Sequence, residues 1–397
     1  MTDLLFTGAR LVGTPGPIPG RGWLATSGRL IEAFGAGEPP GDLRPGRTVL
    51  DLGGSTLLPG FIDVHVHGAV GHEAMDADVP GLLAMSSFYA SRGVTSFLPT
   101  TWTASRTTTL AALGAIGEAM AAGSPGARIL GAHMEGPYLS SARCGAQDPG
   151  QIREVDRDEA AAFLDTGAVR LITVAPETTG ADDLLDECSR RGVTVSVGHT
   201  DATYEQVAAA VRRGARHMTH TYNAMTPLGH RAPGAVGAAL ALPGFQAEII
   251  VDEVHVHPAA VQALLRARGV DEVVLVTDAI RFTGTTTPGG RLQDRPVAVR
   301  DGAVRFENGQ LVGSVLTMDR ALRNVLRLSG RPLAELWPVV SRNPAVSAGV
   351  AGRKGRLDVG MDADLVVLDD ACRVVRTVVE GRTVHTATAP IDERNTP

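Results

Sequence analysis

The sequence predicts an α/β chain, a (β/α)₈ barrel of the TIM type carrying a small β-sandwich domain formed from both chain ends. Three observations predict it. Eight apolar runs of strand length alternate with helix-patterned segments over about 280 residues, as eight βα units require. The flanking stretches lack that alternation and read as short strands jointed by Gly and Pro. Finally, side chains able to hold a metal recur at the ends of the apolar runs, where parallel barrels collect their chemistry. A doubly wound open sheet is the other architecture compatible with the alternation.

Composition sets the outer limits. At 397 residues, with 44% hydrophobic and 20% charged residues, the chain can bury a large core as one large domain or two ordinary ones. A net charge of -6 and a pI near 6.0 argue against nucleic acid or an anionic membrane as the main partner. They leave room for an anionic small substrate held by a few arginines. Cys144, Cys188 and Cys372 lie far apart, in no CxxC spacing, which fits a reducing cytoplasm and offers no thiolate metal cluster. The amino terminus has no basic leader, and no apolar run approaches about 18 residues. The expected location is cytoplasmic.

Taken in order, Leu4 to Leu11, Trp23 to Thr26, Arg29 to Phe34 and Thr48 to Leu52 read as strands. This β piece spans residues 1–58. A Pro59-Gly60 turn then opens the barrel, residues 59–345. Its expected strands are Phe61 to Gly68, Thr95 to Thr100, Arg128 to Gly136 and Val169 to Glu177. The second half follows with Val193 to Thr200, Ala215 to Asn223, Phe245 to His255 and Glu272 to Ala279. Helical spacing is clearest over Pro80 to Arg92, Arg106 to Ala122, Asp156 to Asp165, Asp182 to Arg191, Thr203 to Arg213 and Pro258 to Arg268. Asp201-Ala202-Thr203 and His257-Pro258 look like helix starts. An insertion from Phe282 to Val312 carries a hairpin (Val297 to Arg300, Ala303 to Phe306), and helices are expected at Met318 to Leu328 and Ala334 to Ser341. Residues 346–397 return to β texture, with strands at Leu365 to Leu368, Val374 to Val379 and Thr383 to His385, and a frayed end from Ala389 to Pro397.

The candidate chemistry sits at strand ends. His65 and His67 lie at i and i+2, so a strand puts both imidazoles on one face, half of a Zn²⁺ or Fe²⁺ site. Glu135 closes the third strand, His199 the fifth, His220 the sixth and Asp278 the eighth. Any one of these could be a satisfied rim residue; six at one rim point to a metal site. Lys354 is the single lysine and lies outside the eight strands, so a carboxylated lysine cannot bridge two metals. The anionic ligand must be a carboxylate, with Glu135 and Asp278 as candidates. One carboxylate with neutral imidazoles leaves an open metal position, where bound water drops in pKa towards about 7. Asp278 can take the water proton during attack on a carbonyl and return it to a departing amine. That is metal-assisted hydrolysis of an amide or ester-like bond.

Several blocks resemble the amidohydrolase superfamily and, within it, the N-acetylglucosamine-6-phosphate deacetylases. They are Pro59 to Gly68, His133-Met134-Glu135-Gly136-Pro137-Tyr138, Gly198 to Thr203, Thr219-His220-Thr221-Tyr222-Asn223-Ala224-Met225, His230 to Gly234, Val276 to Ala279 and Gly313 to Met318. The resemblance implies Glu135, His199 and His220 as ligands of the principal metal, His65 and His67 for a second, and Asp278 as acid/base. Zn²⁺ is the expected ion with Fe²⁺ as alternative, one or two per subunit. It also implies Asn223, Ala224, Arg231 and His255 around an amino-sugar phosphate, with Arg231 acting across a homodimer interface. Leu311, Val312 and Gly313 match a substrate-contacting stretch.

Two positions depart from the family pattern. Gly145-Ala146-Gln147 puts glutamine where the family usually has a histidine that donates to the substrate carbonyl, although Ala146 and Gln147 still fall at the substrate. Glu253 stands near the phosphate histidine where the family has glycine. The leading expectation is hydrolysis of N-acetylglucosamine 6-phosphate. The alternatives are another amidohydrolase acting on a related N-acyl sugar, an N-acyl amino acid or a cyclic amide, and a non-catalytic sugar-phosphate-binding regulator.

Overall fold

The barrel strands are buried along most of their length because both faces are covered, one by helices and the other by the barrel interior. The computed structural model describes residues 3–300 and 302–387. Parallel strands run in chain order: Phe61–Val66, Val94–Thr101, a third in two pieces (Arg128–Ile129 and Ala132–Glu135) and Val169–Val174. Thr194–Val197, His217–Met218, Gln246–Ile250 and Val273–Val276 complete them. The eighth strand returns to the first through a Val66–Ala279 bridge, and Asp278 N donates to His65 O at 2.9 Å. That seam closes the barrel and rules out the open sheet.

The expected strands overshoot at their carboxyl ends. Ala215 to Asn223 shrinks to His217–Met218, and Phe245 to His255 stops at Ile250. The extra residues are loop, buried at Thr219 to Thr221 and at Val251, and a buried apolar stretch without a ladder looks like a strand in sequence. The third strand breaks at Gly131, where a Cβ would sit 2.3 Å from Arg170 Cγ and 2.6 Å from Ala168 O. Helices fill the crossovers within a residue or two of expectation, and Thr203 starts its helix through a capping box with Gln206. The helix Gly234–Ala241 was not expected. It is buried nearly all round, so no polar face marks a 3.6-residue period. The single helix expected at Ala334 to Ser341 is instead Leu333–Leu336, a 3₁₀ turn Trp337–Val339 and Arg342–Ser347, broken around Pro338.

Both chain ends build the small β-domain. Leu4–Leu11 pairs with Gly22–Ser27, with Thr48–Asp51 along its first half and with Thr56–Pro59 at its end, so it is shared between two layers. Leu365–Leu368, Val374–Val379 and Arg382–Thr386 extend the second layer. Phe6, Leu24 and Ile31 from one layer pack with Leu57, Leu365, Val367 and Val378 from the other. Pro59 is not in a turn, as expected, but ends the strand Thr56–Pro59 opposite Leu365. The chain crosses into the barrel at Gly60, whose missing side chain leaves room for Thr95, 2.1 Å from where a Cβ would be. The frayed end expected at Ala389 to Pro397 lies outside the described residues.

The insertion is larger than the expected hairpin. Gly289–Leu292, Arg295–Arg300, Ala303–Phe306 and Leu311–Ser314 form a four-stranded antiparallel sheet over the barrel mouth. Phe282, Leu292, Val304, Phe306 and Val312 pack it onto Ile280 and Trp102 of the barrel rim.

Candidate metal centre and active site

Each expected ligand leaves its strand at the carboxyl end and turns inward. His65 and His67 project from one face of the first strand, with ring centroids 5.3 Å apart. His199, His220 and Asp278 lie just beyond their strands with φ of 46°, 28° and 50°. Non-glycine residues in the left-handed region store about 1–3 kcal/mol each and persist only where the surroundings hold them. Here, backbone hydrogen bonds do so: Ser140 N donates to His199 O at 2.9 Å and Ser314 N to Asp278 O at 2.8 Å.

These kinks converge the side chains. His199 Nε2 lies 3.2 Å and His220 Nε2 3.1 Å from Glu135 Oε1, and the two nitrogens are 3.1 Å apart. Asp278 Oδ1 lies 3.2 Å from His67 Nε2 and 3.5 Å from His65 Nε2. Glu135 spans the two groups, with Oε1 3.4 Å from His65 Nε2 and Oε2 3.3 Å from His67 Nε2.

The donor set fits a divalent metal. Metal–ligand bonds of about 2.0–2.1 Å separate neighbouring ligand atoms by about 3.0–3.4 Å, the spacing found here. His65 Nε2 and His67 Nε2 are buried and have no hydrogen-bond partner. The other ring nitrogens set the tautomers: His67 Nδ1 lies 3.1 Å from Thr100 O and His199 Nδ1 3.0 Å from Arg143 O. Each therefore donates to a carbonyl and turns an Nε2 lone pair to the centre. Glu135, His199 and His220 form one three-ligand group, and His65, His67 and Asp278 another.

The electrostatics agree. Burial works against charging His65, but Glu248, Glu135 and Asp278 outweigh it and push its pKa up to about 10. Burial likewise opposes ionisation of Glu135, yet the facing His65 and His199 hold it well below the usual carboxylate range. Without a cation, the site traps a proton among its carboxylates; a divalent ion would displace it.

Glu248 was missed in the sequence. It sits on the seventh strand, fully buried, and accepts from His65 Nδ1 at 2.9 Å, His217 Nε2 at 2.8 Å and His220 N at 2.9 Å. Its signal was legible as a lone carboxylate within the apolar run Phe245 to Val251. A charge buried there must have partners. Thus Glu135 and Asp278 are not the only carboxylates at this rim. His133, another buried residue not singled out, is kept neutral by burial and by nearby His65, with Nδ1 3.0 Å from Val64 O and Nε2 2.7 Å from Thr173 Oγ1.

The remaining expected residues divide. Gln147 is fully buried; its Oε1 accepts from Thr103 N at 2.7 Å, which turns Nε2 onto Glu135 Oε2 at 2.5 Å. Ala146 packs at the edge of the inserted sheet's core. Asn223 Nδ2 donates to His220 O at 3.2 Å, beside Ala224, which has φ 48°. Leu311, Val312 and Gly313 belong to the inserted strand that runs to Ser314, next to Asp278. His255 Nδ1 is 2.6 Å from Asp252 Oδ2; burial opposes its charging, but Asp252 prevails and raises its pKa. Glu253 turns aside to pair with Arg327 on the surface, so its charge is matched outside the mouth. Arg231 is exposed and has no ion-pair or hydrogen-bond partner among the described residues. Lys354 is buried between Asp362 at 3.0 Å and Asp364 at 2.5 Å, and Asp364 O accepts from Gly60 N at the entry to the first barrel strand, not at a carboxyl end.

Known proteins share this sequence pattern and fold. The amidohydrolase family pattern matches residues 56–384. An N-acetylglucosamine-6-phosphate deacetylase of Vibrio furnissii is 39% identical over 347 residues, 87% of each chain. An N-acetylgalactosamine-6-phosphate deacetylase of Escherichia coli O157:H7 is 38% identical, covering 84% of this chain and 89% of that one. Among solved structures, a mutant N-acetyl-D-glucosamine-6-phosphate deacetylase from Mycobacterium smegmatis, in complex with N-acetyl-D-glucosamine-6-phosphate, superposes with a TM-score of 0.90 at 32% identity. That match covers 97% of this chain and 100% of the other. Pattern, sequence and fold agree: the chain belongs to the amidohydrolase family, on its N-acetylglucosamine-6-phosphate deacetylase branch, and is a hydrolase of amide bonds.

Proposed function

We propose that the protein hydrolyses N-acetylglucosamine 6-phosphate to glucosamine 6-phosphate and acetate. The observation that carries this reading is the Asp278 carboxylate, set 3.2 Å from His67 and beside the Glu135–His199–His220 group. Burial disfavours its charge, but His65 and His67 outweigh burial and lower its pKa, so it rests as a base. Asp278 then accepts the proton of the water that attacks the acetamide carbonyl and hands it to the departing amine. A divalent ion held by Glu135, His199 and His220, with His65 and His67 for a second, supplies the Lewis acidity that polarises a carbonyl and acidifies water. Imidazole and carboxylate ligands suit Zn²⁺ first and Fe²⁺ second. Gln147 has one amide N–H on Glu135 and a second left for the substrate carbonyl oxygen.

His255, kept protonated by Asp252, and Arg231 are the cations assigned to the phosphate, with Asn223, Ala224 and the stretch Leu311 to Gly313 around the sugar. In this reading Arg231 comes from the second subunit of a homodimer, which explains its exposure here. Mixing Arg231→Ala with Asp278→Asn subunits tests this. Each parent is expected to be nearly inactive, while each mixed dimer keeps one of its two sites complete, so an equal mixture after random exchange returns about a quarter of native activity. No recovery after verified subunit exchange would place Arg231 outside the neighbouring site. Cys144, Cys188 and Cys372 are free thiols, in keeping with a cytoplasmic enzyme. The domain division at about residue 58 follows the crossing at Gly60. The helix Arg342–Ser347, whose Ser347 Oγ lies 3.0 Å from His217 Nδ1, argues for ending the barrel slightly after residue 345.

The substrate is tested by acetate release from N-acetylglucosamine 6-phosphate, N-acetylgalactosamine 6-phosphate and N-acetylglucosamine. Two charge-assisted phosphate contacts predict a preference of about 10²-fold or more in kcat/KM for the phosphorylated sugars. Equal rates without phosphate would favour the second reading, an amidohydrolase of a related N-acyl sugar, N-acyl amino acid or cyclic amide, which Gln147 in place of the family histidine motivates.

Glu248→Ala removes the acceptor of three buried donors. Breaking such a charged network destabilises by about 3–5 kcal/mol, and loss of an imidazole-orienting carboxylate lowers metal affinity about 10–100-fold. Thermal unfolding and elemental analysis measure the two separately. Native values for both would reduce Glu248 to a bystander.

A further inference from the structure

The inserted sheet has two faces. Val297, Val304, Phe306 and Val312 point to one of them, where they pack on Ile280 and Trp102 of the barrel rim. Alternation along a strand sends the side chains between them to the other face. Arg305 lies between Val304 and Phe306 and stands opposite Leu311 in the antiparallel register, so Arg305 and Leu311 share that second face. Leu311 is half-buried yet takes no part in the core around Ile280. It opens the stretch that the proposed function sets around the sugar.

The hairpin joining these two strands is fastened at the barrel mouth. Gln310 Nε2 donates to Gly145 O, and Gly145 lies so close to His199 that a Cβ there would be 3.0 Å from its ring. Three residues after Gln310, a Cβ on Gly313 would be 3.0 Å from Asp278 O. The strand Leu311–Ser314 therefore runs from the loop beside one metal-binding histidine to the backbone of the acid/base, and Arg305 is its lateral neighbour.

Charge separates Arg305 from the other cations near by. His255 is matched by Asp252 at 2.6 Å, and Arg327 by Glu253. Arg305 is half-buried, donates from Nη1 to Gly309 O at 2.9 Å, and makes no ion pair with a carboxylate among the described residues. Its charge is felt at His255: burial opposes the protonation of that ring and Arg305 adds to the opposition, although Asp252 and Asp278 prevail. A guanidinium with most of its five donors unused, within range of a second cation, favours an anion that both can reach. A phosphate fits, because its oxygens accept the parallel N–H bonds of the guanidinium fork.

We infer that Arg305 is a specificity-determining residue, a guanidinium that the inserted sheet brings to the substrate phosphate alongside His255 of the same subunit. The inference rests on the proposed hydrolysis of an N-acetyl sugar phosphate. It differs from the role given to Arg231, which requires a second subunit, and it assigns the inserted sheet a part in selecting phosphorylated substrates.

The test compares kcat/KM for N-acetylglucosamine 6-phosphate with kcat/KM for N-acetylglucosamine, in the metal-loaded native enzyme and in Arg305→Ala, Arg305→Gln and Arg305→Lys. The ratio of the two is expected to fall about ten-fold or more in Arg305→Ala and Arg305→Gln, as loss of a hydrogen bond to a charged group predicts, with KM for the phosphorylated sugar carrying the change. Arg305→Lys keeps the charge without the fork and should recover part of the ratio. Damage to the fold lowers both rates together and leaves the ratio alone, and Arg305→Gln, whose amide can still donate to Gly309 O, repeats the measurement with less disturbance. A native ratio near one would remove the phosphate reading and this inference with it. A high native ratio that survives in both Arg305→Ala and Arg305→Gln would overturn the inference and leave that reading standing, as would a fall confined to kcat.

Discussion

Asp278→Asn is expected to bind substrate with a KM within a few-fold of native and to lose about 10²–10⁴ in kcat, the range that a positioned acid/base contributes. The amide keeps the shape of the carboxylate but can neither hold a water proton nor return it to the amine. Because Asp278 also lies within 3.5 Å of His65 and 3.2 Å of His67, the variant's metal content must be measured alongside its rate. Native metal with a collapsed kcat isolates the proton-transfer role. Near-native kcat removes Asp278 from the mechanism, and lost metal with lost rate would recast it as a ligand first.

Chelation is expected to abolish turnover, with Zn²⁺, Fe²⁺ or Co²⁺ restoring it, and to lower the melting temperature. The stability change has a physical basis. A ligand present at about 1,000 times its Kd stabilises the folded state by about 4 kcal/mol, and here the ion also relieves the mutual burial of Glu135, Asp278 and Glu248. His199→Ala should cut metal content and prevent rescue, since its Nε2 lies 3.2 Å from Glu135 Oε1 in the three-ligand group. Elemental analysis of the rescued enzyme reads one or two ions per subunit directly. Unchanged turnover in protein stripped of all detectable metal would remove the ion from catalysis.

The expected ligands were legible because each closes an apolar run, and a polar residue at the end of a buried strand has few structural reasons to be there. Glu248 was harder, since it lies within such a run and its partners, His65 and His217, are 183 and 31 residues away. Gln147 was read as a substrate donor, and only the fold shows that its carbonyl is taken by Thr103 N and one of its two amide N–H groups by Glu135, with the other left over. The charge of Glu253, which stands where the family has glycine, was likewise unmatched in the sequence, and only the fold shows that Arg327 of a later helix meets it on the surface.

By itself, the sequence determined the barrel, the two-ended β-domain, the strand ends that carry chemistry and, through its single lysine outside the strands, the need for a carboxylate at the metal site. Periodicity and strand-end position are local properties, and a chain states them in order. Only the tertiary structure decided the left-handed turns at His199, His220 and Asp278 and the clamp of Glu248 on His65. Those depend on which distant segments meet, and partners so far apart along the chain leave no periodic trace in it.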